Sequence, residues 1–128
     1  MIAVIVPAHN EEAHIGPCVQ ALMVASKNLA LMDEPVVTVV VLDACTDGTA
    51  RIAQRAGALT VAINARNVGA ARALGARMAM GLGARWLAFT DADTVVEPAL
   101  IALPRCFARK VLEVLAPRRV PCRSLKLV

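Results

Sequence analysis

The stretch VVTVVVL, residues 36–42, gives the strongest strand signal in the chain. Six of its seven residues are β-branched, and such side chains fit the pleated surface of a sheet. An apolar run without alternation is typical of a parallel strand that is buried on both of its faces. A parallel sheet is therefore the expected framework of the fold.

Three further apolar runs predict strands: residues 2–6, 59–63 and 86–90. Between the strands, apolar residues recur at helical spacing and predict three helices: residues 11–26, 50–56 and 69–82. Asn10 is the expected N-cap of the first helix, and Pro7 is expected to end the first strand. Strands that alternate with helices predict an α/β fold, a mostly parallel sheet with right-handed, Rossmann-like crossovers.

Composition and charge exclude several classes of protein. The 128 residues suffice for one small domain, and with 2% aromatic residues the core has to be aliphatic. Residues 1–100 carry 7 basic and 9 acidic side chains, whereas residues 101–128 carry 7 basic and one acidic. Because the first hundred residues are acidic overall, no nucleic-acid partner is expected.

Targeting signals and cysteine patterns point to the cytoplasm. The apolar start has no basic region before it, and no run of about 18 apolar residues predicts a transmembrane segment. The four cysteines lie far apart and form no C-x-x-C pair, which predicts reduced thiols: Cys18, Cys45, Cys106 and Cys122. A cytoplasmic location is the resulting expectation.

Polar residues follow three of the predicted strands: PAHNEE at 7–12, DACTDG at 43–48 and DAD at 91–93. In an open α/β sheet, ligands bind beyond the carboxyl ends of the strands. Residues i and i+2 of an extended backbone point the same way, so Asp91 and Asp93 can face one site. Two such carboxylates favour Mg²⁺ or Mn²⁺, and the alternative is an acidic turn that caps the next segment.

Other polar residues near these strand ends have two interpretations each. Asp43 can accept hydrogen bonds from a base or ribose, or it can cap the turn before Thr46. Glu11 can contact a ligand or only favour the helix dipole. His9 lies at the expected mouth of the crevice. Arg66 and Arg72 lie near a helix N-terminus at Asn67 and Gly69, where phosphate is favoured, although an ordinary helix start explains them too.

Taken together, these segments resemble the nucleotide-binding half of the family 2 glycosyltransferases, which have the GT-A fold. The resemblance covers about residues 2–100 and rests on four stretches: IVPAHNEE (5–12), VVVLDACTDGTA (39–50), NVGAARALGAR (67–77) and WLAFTDADTVVEP (86–98). It implies a nucleotide-diphospho-sugar donor of the UDP or GDP type and transfer of the sugar to an unknown acceptor with inversion.

The resemblance also assigns roles to residues. Asp91 and Asp93 would hold a divalent cation, Mn²⁺ or Mg²⁺, which would act as a Lewis acid on the departing diphosphate. The acid at Asp43 would contact the base or ribose. The full nucleotide-sugar pocket that it implies is formed by Pro7, Ala8, His9, Asn10, Glu11, Leu42, Asp43, Asn67, Gly69, Arg72, Asp91 and Ala92. The catalytic base is expected beyond residue 104, where no family-like acceptor motif is found.

The domain organisation follows from where the resemblance ends. Residues 1–104 are expected to form a partial GT-A domain that binds nucleotide-sugar. Residues 105–128 are expected to be a basic, proline-interrupted tail, and the change of charge at this boundary suggests a frameshift or an early stop. A truncated remnant that binds donor without catalysis is therefore the alternative function.

Two enzyme classes other than glycosyltransferases fit less of the sequence. The stretch FTDADTVV matches the Asp-x-Asp-x-Thr motif of haloacid dehalogenase-type phosphatases. That motif normally follows the first strand, and its chemistry needs a later acidic pair, but no Asp follows Asp93. A nicotinamide dehydrogenase would need G-x-G-x-x-G after the first strand, where this chain has PAHNEE.

Overall fold

The structure is a computed structural model, and it describes residues 1–27, 31 and 33–96. Within those residues it contains four strands: β1 (Ile2–Ala8), β2 (Val36–Asp43), β3 (Leu59–Ile63) and β4 (Trp86–Phe89). The same residues contain three helices: α1 (Ile15–Ala25), α2 (Thr49–Arg55) and α3 (Val68–Gly81). The strands are parallel and lie in the order β3-β2-β1-β4, which confirms the predicted α/β fold.

The central pair of strands, β1 and β2, forms the middle of the core. All seven residues of β1 are buried, as are the last six of β2. Val40 packs on one side of the sheet, whereas Val39 and Val41 pack on the other. The uninterrupted apolar run of β2 is thus explained by burial on both faces.

Helices cover both faces of this sheet. On one face, α1 contributes the buried residues Ile15, Val19 and Leu22 to a cluster that contains Val40. On the other face, α3 contributes Ala71 and Ala79, which pack beside Ile5 and Val41. This three-layer arrangement leaves the carboxyl ends of the strands open at one edge.

The end of β1 differs from the prediction because Pro7 is part of the strand, paired with Val41 of β2. The carbonyl oxygen of Ile5 accepts from the backbone N–H of Thr90, so residue 5 and residue 7 face the β4 side. Pairing with β4 ends at Phe89. The missing N–H of Pro7 therefore falls beyond the last rung of β4 and leaves no partner unsatisfied.

The start of α1 was predicted incorrectly. The helix begins at Ile15 rather than at residue 11, and its N-cap is His14, which makes no side-chain cap hydrogen bond. Asn10 instead adopts a left-handed backbone with φ 48°. Its Oδ1 atom accepts from the backbone N–H of Thr46 at 2.8 Å. The predicted cap residue, Asn10, thus bonds to Thr46 in the loop after β2 instead of capping α1. Local sequence rules do not describe such a contact.

The other element ends agree with the predictions within one residue at α2, α3 and β4. Every helix that the structure describes is too short or too polar to span a bilayer. The predicted boundary at residue 104, the tail at 105–128 and the cysteines Cys106 and Cys122 lie outside the described residues.

The amino ends of the strands are tied together by Glu34. Its Oε1 atom accepts from Arg85 Nε at 2.7 Å and from the Met1 amino group at 3.0 Å, and its side chain is 17% exposed. Mainly because Arg85 donates to this carboxylate, the pKa of Glu34 falls from 4.5 to about 2. The folded state therefore favours the ionised form, and this contribution to stability is present above pH 4.5 and lost as the pH falls through about 2.

The variant Glu34→Gln is expected to lower the free energy of unfolding by about 1 kcal/mol at neutral pH. The difference from wild type should shrink as the pH is lowered from 4.5 toward 2, which urea unfolding at a series of pH values measures. Asp33→Asn is the control, because it removes the charge of the adjacent, exposed carboxylate. A difference that stays constant over this pH range would contradict the assignment to ionisation of Glu34.

Candidate functional site

A cavity of about 690 Å³ lies at the carboxyl ends of β1, β2 and β4. Ten of the thirteen predicted site residues line it: Pro7, Ala8, His9, Asn10, Glu11, Asp43, Asn67, Asp91, Ala92 and Asp93. Residues that are separated by up to 86 positions in the chain meet here. Parallel strand ends thus bring the polar segments of the sequence to one place.

Three predicted residues do not line the cavity: Leu42, Gly69 and Arg72. Leu42 is 8% exposed because its side chain packs in the core. Gly69 follows the first residue of α3 and has no side chain to extend toward a ligand. Arg72 binds Asp91 instead of pointing to open space.

The structure adds five lining residues that were not among the predicted site residues: Ala44, Thr46, Arg66, Val68 and Ala71. Arg66 has a left-handed backbone with φ 49°, as does Ala44 with φ 51°. These residues come from the connections after β2 and β3 and from the first turn of α3. In the sequence, these segments were signalled by the polar neighbours Asp43 and Asn67 and by Arg66, which lies beside a predicted helix N-terminus.

Asp43 fixes the segment that leads into α3. Its carboxylate is buried and accepts three backbone N–H groups, those of Ala65 at 2.9 Å, Arg66 at 2.8 Å and Asn67 at 2.8 Å. Desolvation alone would raise the pKa of Asp43, but the three donors outweigh it and hold that pKa below its usual value. The carboxylate therefore anchors the residues before α3 rather than capping the turn before Thr46.

We expect Asp43→Asn to lower the melting temperature and to speed amide hydrogen exchange at residues 65–67. An amide side chain keeps one uncharged acceptor oxygen, and its NH₂ group takes the place of the second, so the hydrogen bonds to residues 65–67 weaken and at least one backbone N–H loses its acceptor. NMR-detected exchange measures each amide, with the amide of Ala79, near the other end of α3, as the internal control. Unchanged exchange at residues 65–67 would show that Asp43 does not anchor them.

His9 is joined to the same strand end. Its Nδ1 atom lies 2.7 Å from the backbone carbonyl oxygen of Asp43. Because a carbonyl oxygen only accepts, Nδ1 carries the hydrogen, and Nε2 of the neutral ring is the remaining acceptor. This contact orients the imidazole at the cavity wall.

The loops after β1 and β2 hold each other in place. The backbone N–H of Glu11 donates to Thr49 Oγ1 at 2.9 Å, and Glu12 Oε2 accepts from the Gly48 N–H at 2.8 Å. Asp47 accepts from the Thr49 N–H at 3.0 Å and from its hydroxyl, and chiefly this hydroxyl contact lowers the pKa of Asp47. These hydrogen bonds join the two loops, so the cavity wall that they form is held in place without a ligand.

Asp91 and Asp93 both line the cavity. The turn that contains them is closed by a backbone hydrogen bond from the Thr94 N–H to the Asp91 carbonyl at 3.1 Å, so the turn does not need their carboxylates. Arg72 Nη2 donates to Asp91 Oδ1 at 3.0 Å. The turn therefore presents two carboxylates to the cavity. The carboxylate of Asp91 is paired with the guanidinium of Arg72.

The donor set at this turn decides which metals fit. Among the described residues, no group of three or more His, Cys, Asp or Glu side chains is arranged to hold a metal ion. Two carboxylates fit a hard cation such as Mg²⁺, which is often held by one or two carboxylates together with phosphate oxygens and water. The residues present therefore fit a divalent cation whose remaining ligands come from a bound phosphate compound.

The N-terminus of α3 completes the cavity wall. Asn67 is its N-cap, with Oδ1 accepting from the Ala70 N–H at 3.0 Å, and Val68 and Ala71 also line the cavity. The first turn of a 14-residue helix carries partial positive charge, which favours anions. The cavity wall thus combines a turn that carries two carboxylates with a helix end that favours anions.

Comparison with solved structures identifies the class to which this fold belongs. The TarS 1–349 structure from S. aureus superposes with a TM-score of 0.66 at 20% identity, over 94% of this chain and 38% of that chain. Glucosyl-3-phosphoglycerate synthase from M. tuberculosis gives 0.57 at 26% identity, over 79% of this chain and 37% of that chain. The fold is therefore the GT-A fold of glycosyltransferases, and the chain spans less than two fifths of these structures.

Residues 3–108 match the family model for glycosyl transferase family 2, and the chain belongs to that family. The resemblance found in the sequence is thereby confirmed, and the phosphatase and dehydrogenase alternatives are excluded. A comparison with curated proteins finds no match. The two solved proteins have been crystallised with ligands: TarS 1–349 with UDP-GlcNAc, and the synthase with Mn²⁺, UDP and glucosyl-3-phosphoglycerate.

Proposed function

We propose that this chain binds the nucleotide diphosphate of a UDP- or GDP-sugar together with Mn²⁺ or Mg²⁺, for transfer of the sugar to an acceptor. One observation carries the proposal. Asp91, Asp93 and the N-terminus of α3 line the same cavity of about 690 Å³, which is large enough for a nucleotide. The ligands named for TarS and for the mycobacterial synthase are of the same chemical type.

Different residues of the chain would bind different parts of the ligand. The carboxylates of Asp93 and Asp91 would hold the cation, and the first turn of α3 would receive phosphate oxygens through its free N–H groups. The crevice between the ends of β1 and β2, walled by His9 and by the segment that Asp43 anchors, would receive the nucleoside. The bound cation would supply Lewis-acid stabilisation of the departing diphosphate.

Transfer would break the bond between the anomeric carbon and the diphosphate and form a new bond to an acceptor hydroxyl. Inversion needs a base that accepts the proton of this hydroxyl on the opposite face of the sugar. The predicted position of that base, beyond residue 104, lies outside the described residues. We propose that residues 1–104 form the donor-binding part, and the family match over residues 3–108 supports a domain that includes most of these residues.

Calorimetric titration tests the proposal. We expect UDP or GDP to bind in the presence of Mn²⁺ and to bind much more weakly in EDTA, and a bound nucleotide should raise the melting temperature. UMP and GMP serve as the controls, because each has the same nucleoside as UDP or GDP but a single phosphate in place of the diphosphate. Equal affinity with Mn²⁺ and in EDTA would overturn the metal assignment, and no binding of any nucleotide diphosphate would overturn the function.

A second candidate function is donor binding without transfer. Incubation with UDP-sugars and Mn²⁺ separates the two candidates. Release of UDP supports a transferase or hydrolase, whereas binding without release supports a binding module.

A further inference from the structure

Arg72 makes a contact that differs from the phosphate-binding role expected for it. The residue lies in the second turn of α3, and its Nη2 atom donates to Asp91 Oδ1 at 3.0 Å. Asp91 lines the cavity and Arg72 does not. The guanidinium therefore reaches the carboxylate from outside the cavity, and a ligand in the cavity meets Asp91 first.

The support beneath Arg72 is rigid. Ala71 and Gly75 of the same helix are buried against the sheet, so the backbone that carries Arg72 has little freedom to move. The Nε atom of Arg72 is buried and makes no hydrogen bond within the described part of the chain. The Nη2 donor of Arg72 therefore reaches Asp91 from a backbone that is packed against the sheet.

Asp91 is also held on its backbone side. The Sγ atom of Cys18, a buried residue of α1, donates to the Asp91 carbonyl oxygen at 3.6 Å. Helices from both faces of the sheet thus contact one residue, α3 at its carboxylate and α1 at its carbonyl. Asp93, two residues further on, lines the cavity without Arg72 as its partner.

The charge of Arg72 has a consequence for the cation and the diphosphate. Asp91, Asp93 and a diphosphate are all negative, and a guanidinium beside Asp91 offsets part of their mutual repulsion. A carboxylate with one oxygen bound to Arg72 still offers its other oxygen to a metal ion. Outer-shell partners of this kind orient the carboxylates that ligate metal ions.

We propose that Arg72 is a positioning residue, which orients the Asp91 carboxylate for the divalent cation and does not itself contact the phosphates. The inference rests on the proposed binding of a nucleotide diphosphate with Mn²⁺ at this cavity. It predicts that Arg72 affects the coupling between Mn²⁺ and UDP, because its effect passes through a metal ligand. It also predicts that UDP affinity depends much less on Arg72 in the absence of metal, where only the partial offset of this repulsion remains.

The experiment uses the full chain with the variants Arg72→Gln and Arg72→Lys. UDP affinity is measured by calorimetry with Mn²⁺ and again in EDTA, and Mn²⁺ affinity is measured by electron paramagnetic resonance in the presence of UDP. Arg77→Gln is the matched control, since it removes an exposed arginine from the same helix outside the cavity. Thermal unfolding shows that each variant is folded, and Arg72→Lys serves if Arg72→Gln does not fold.

Support would be a loss of about 10- to 100-fold in UDP affinity with Mn²⁺, with a much smaller loss in EDTA. In the background of Asp91→Asn, the Arg72 substitution should cause little further loss, because the two residues act as one unit. Equal losses with Mn²⁺ and in EDTA would overturn the inference in favour of direct phosphate binding. Unchanged affinities would also overturn it, whereas a wild-type protein that binds no UDP would overturn the proposed function as well.

Discussion

Asp93→Ala is expected to remove the Mn²⁺-dependent part of UDP binding, so that the affinity with Mn²⁺ falls to the level measured in EDTA. Both carboxylates of the turn line the cavity, but Arg72 pairs with Asp91. Asp93 is therefore the carboxylate with more of its charge available to a cation. The loss should exceed about 100-fold, because removing a ligand costs more than the 10- to 100-fold effect of an outer-shell partner.

The matched control for Asp93→Ala is Asp33→Asn. It removes an exposed carboxylate that precedes β2, at the opposite ends of the strands from the cavity. Its UDP affinity should equal that of wild type with Mn²⁺ and in EDTA. If Asp93→Ala keeps the wild-type affinity with Mn²⁺, the carboxylates at this turn do not hold the cation, and the metal assignment is wrong.

The strands could be predicted because their apolar runs are local and their burial is nearly complete. The run at residues 36–42 is apolar at every position except Thr38, and such a run without alternation is typical of a strand that is covered on both faces. Pro7 shows where such local rules fail. Its place inside β1 is tolerated because β4 ends at Phe89, a fact about a strand about 80 positions away.

The start of α1 could not be predicted for a similar reason. The capping preference of Asn10 is real, but its side chain satisfies a donor on Thr46 instead of one in the first turn of the helix. The two residues are 36 positions apart, and they meet only because β1 and β2 are adjacent and parallel. Tertiary contacts therefore replaced a local cap.

The candidate site also contains some residues that the sequence predicts and others that it does not. Residues at the ends of strands, such as His9, Asp43 and Asp91, could be placed in one cavity because parallel topology alone brings these ends together. Arg66 and the wall formed by α3 depend on three backbone hydrogen bonds to Asp43, and no periodicity encodes these. The destination of the Arg72 side chain likewise depends on the distance between α3 and the turn after β4.

Gly75→Val is expected to have the largest effect on stability. A Cβ atom at Gly75 would lie 2.5 Å from Ile5 Cγ2 and 2.9 Å from Val41 Cγ2, distances that real Cβ atoms essentially never show. These two contacts belong to the central strands β1 and β2, so they cannot yield without moving the core. Overpacking of a filled core costs about 1–3 kcal/mol and occasionally more, and a valine at this contact belongs at the upper end.

The control Gly81→Val places the same side chain in the same helix where no atom lies within 4 Å of the added Cβ. Valine is a slightly better helix former than glycine, so this variant should be neutral or gain a few tenths of a kcal/mol. Urea unfolding compares the two free energies. If Gly75→Val were as stable as Gly81→Val, α3 would not pack against β1 and β2 as closely as the short distances at Gly75 indicate. The first turn of α3 and Arg72 would then lack the rigid support on which the arrangement of the cavity depends.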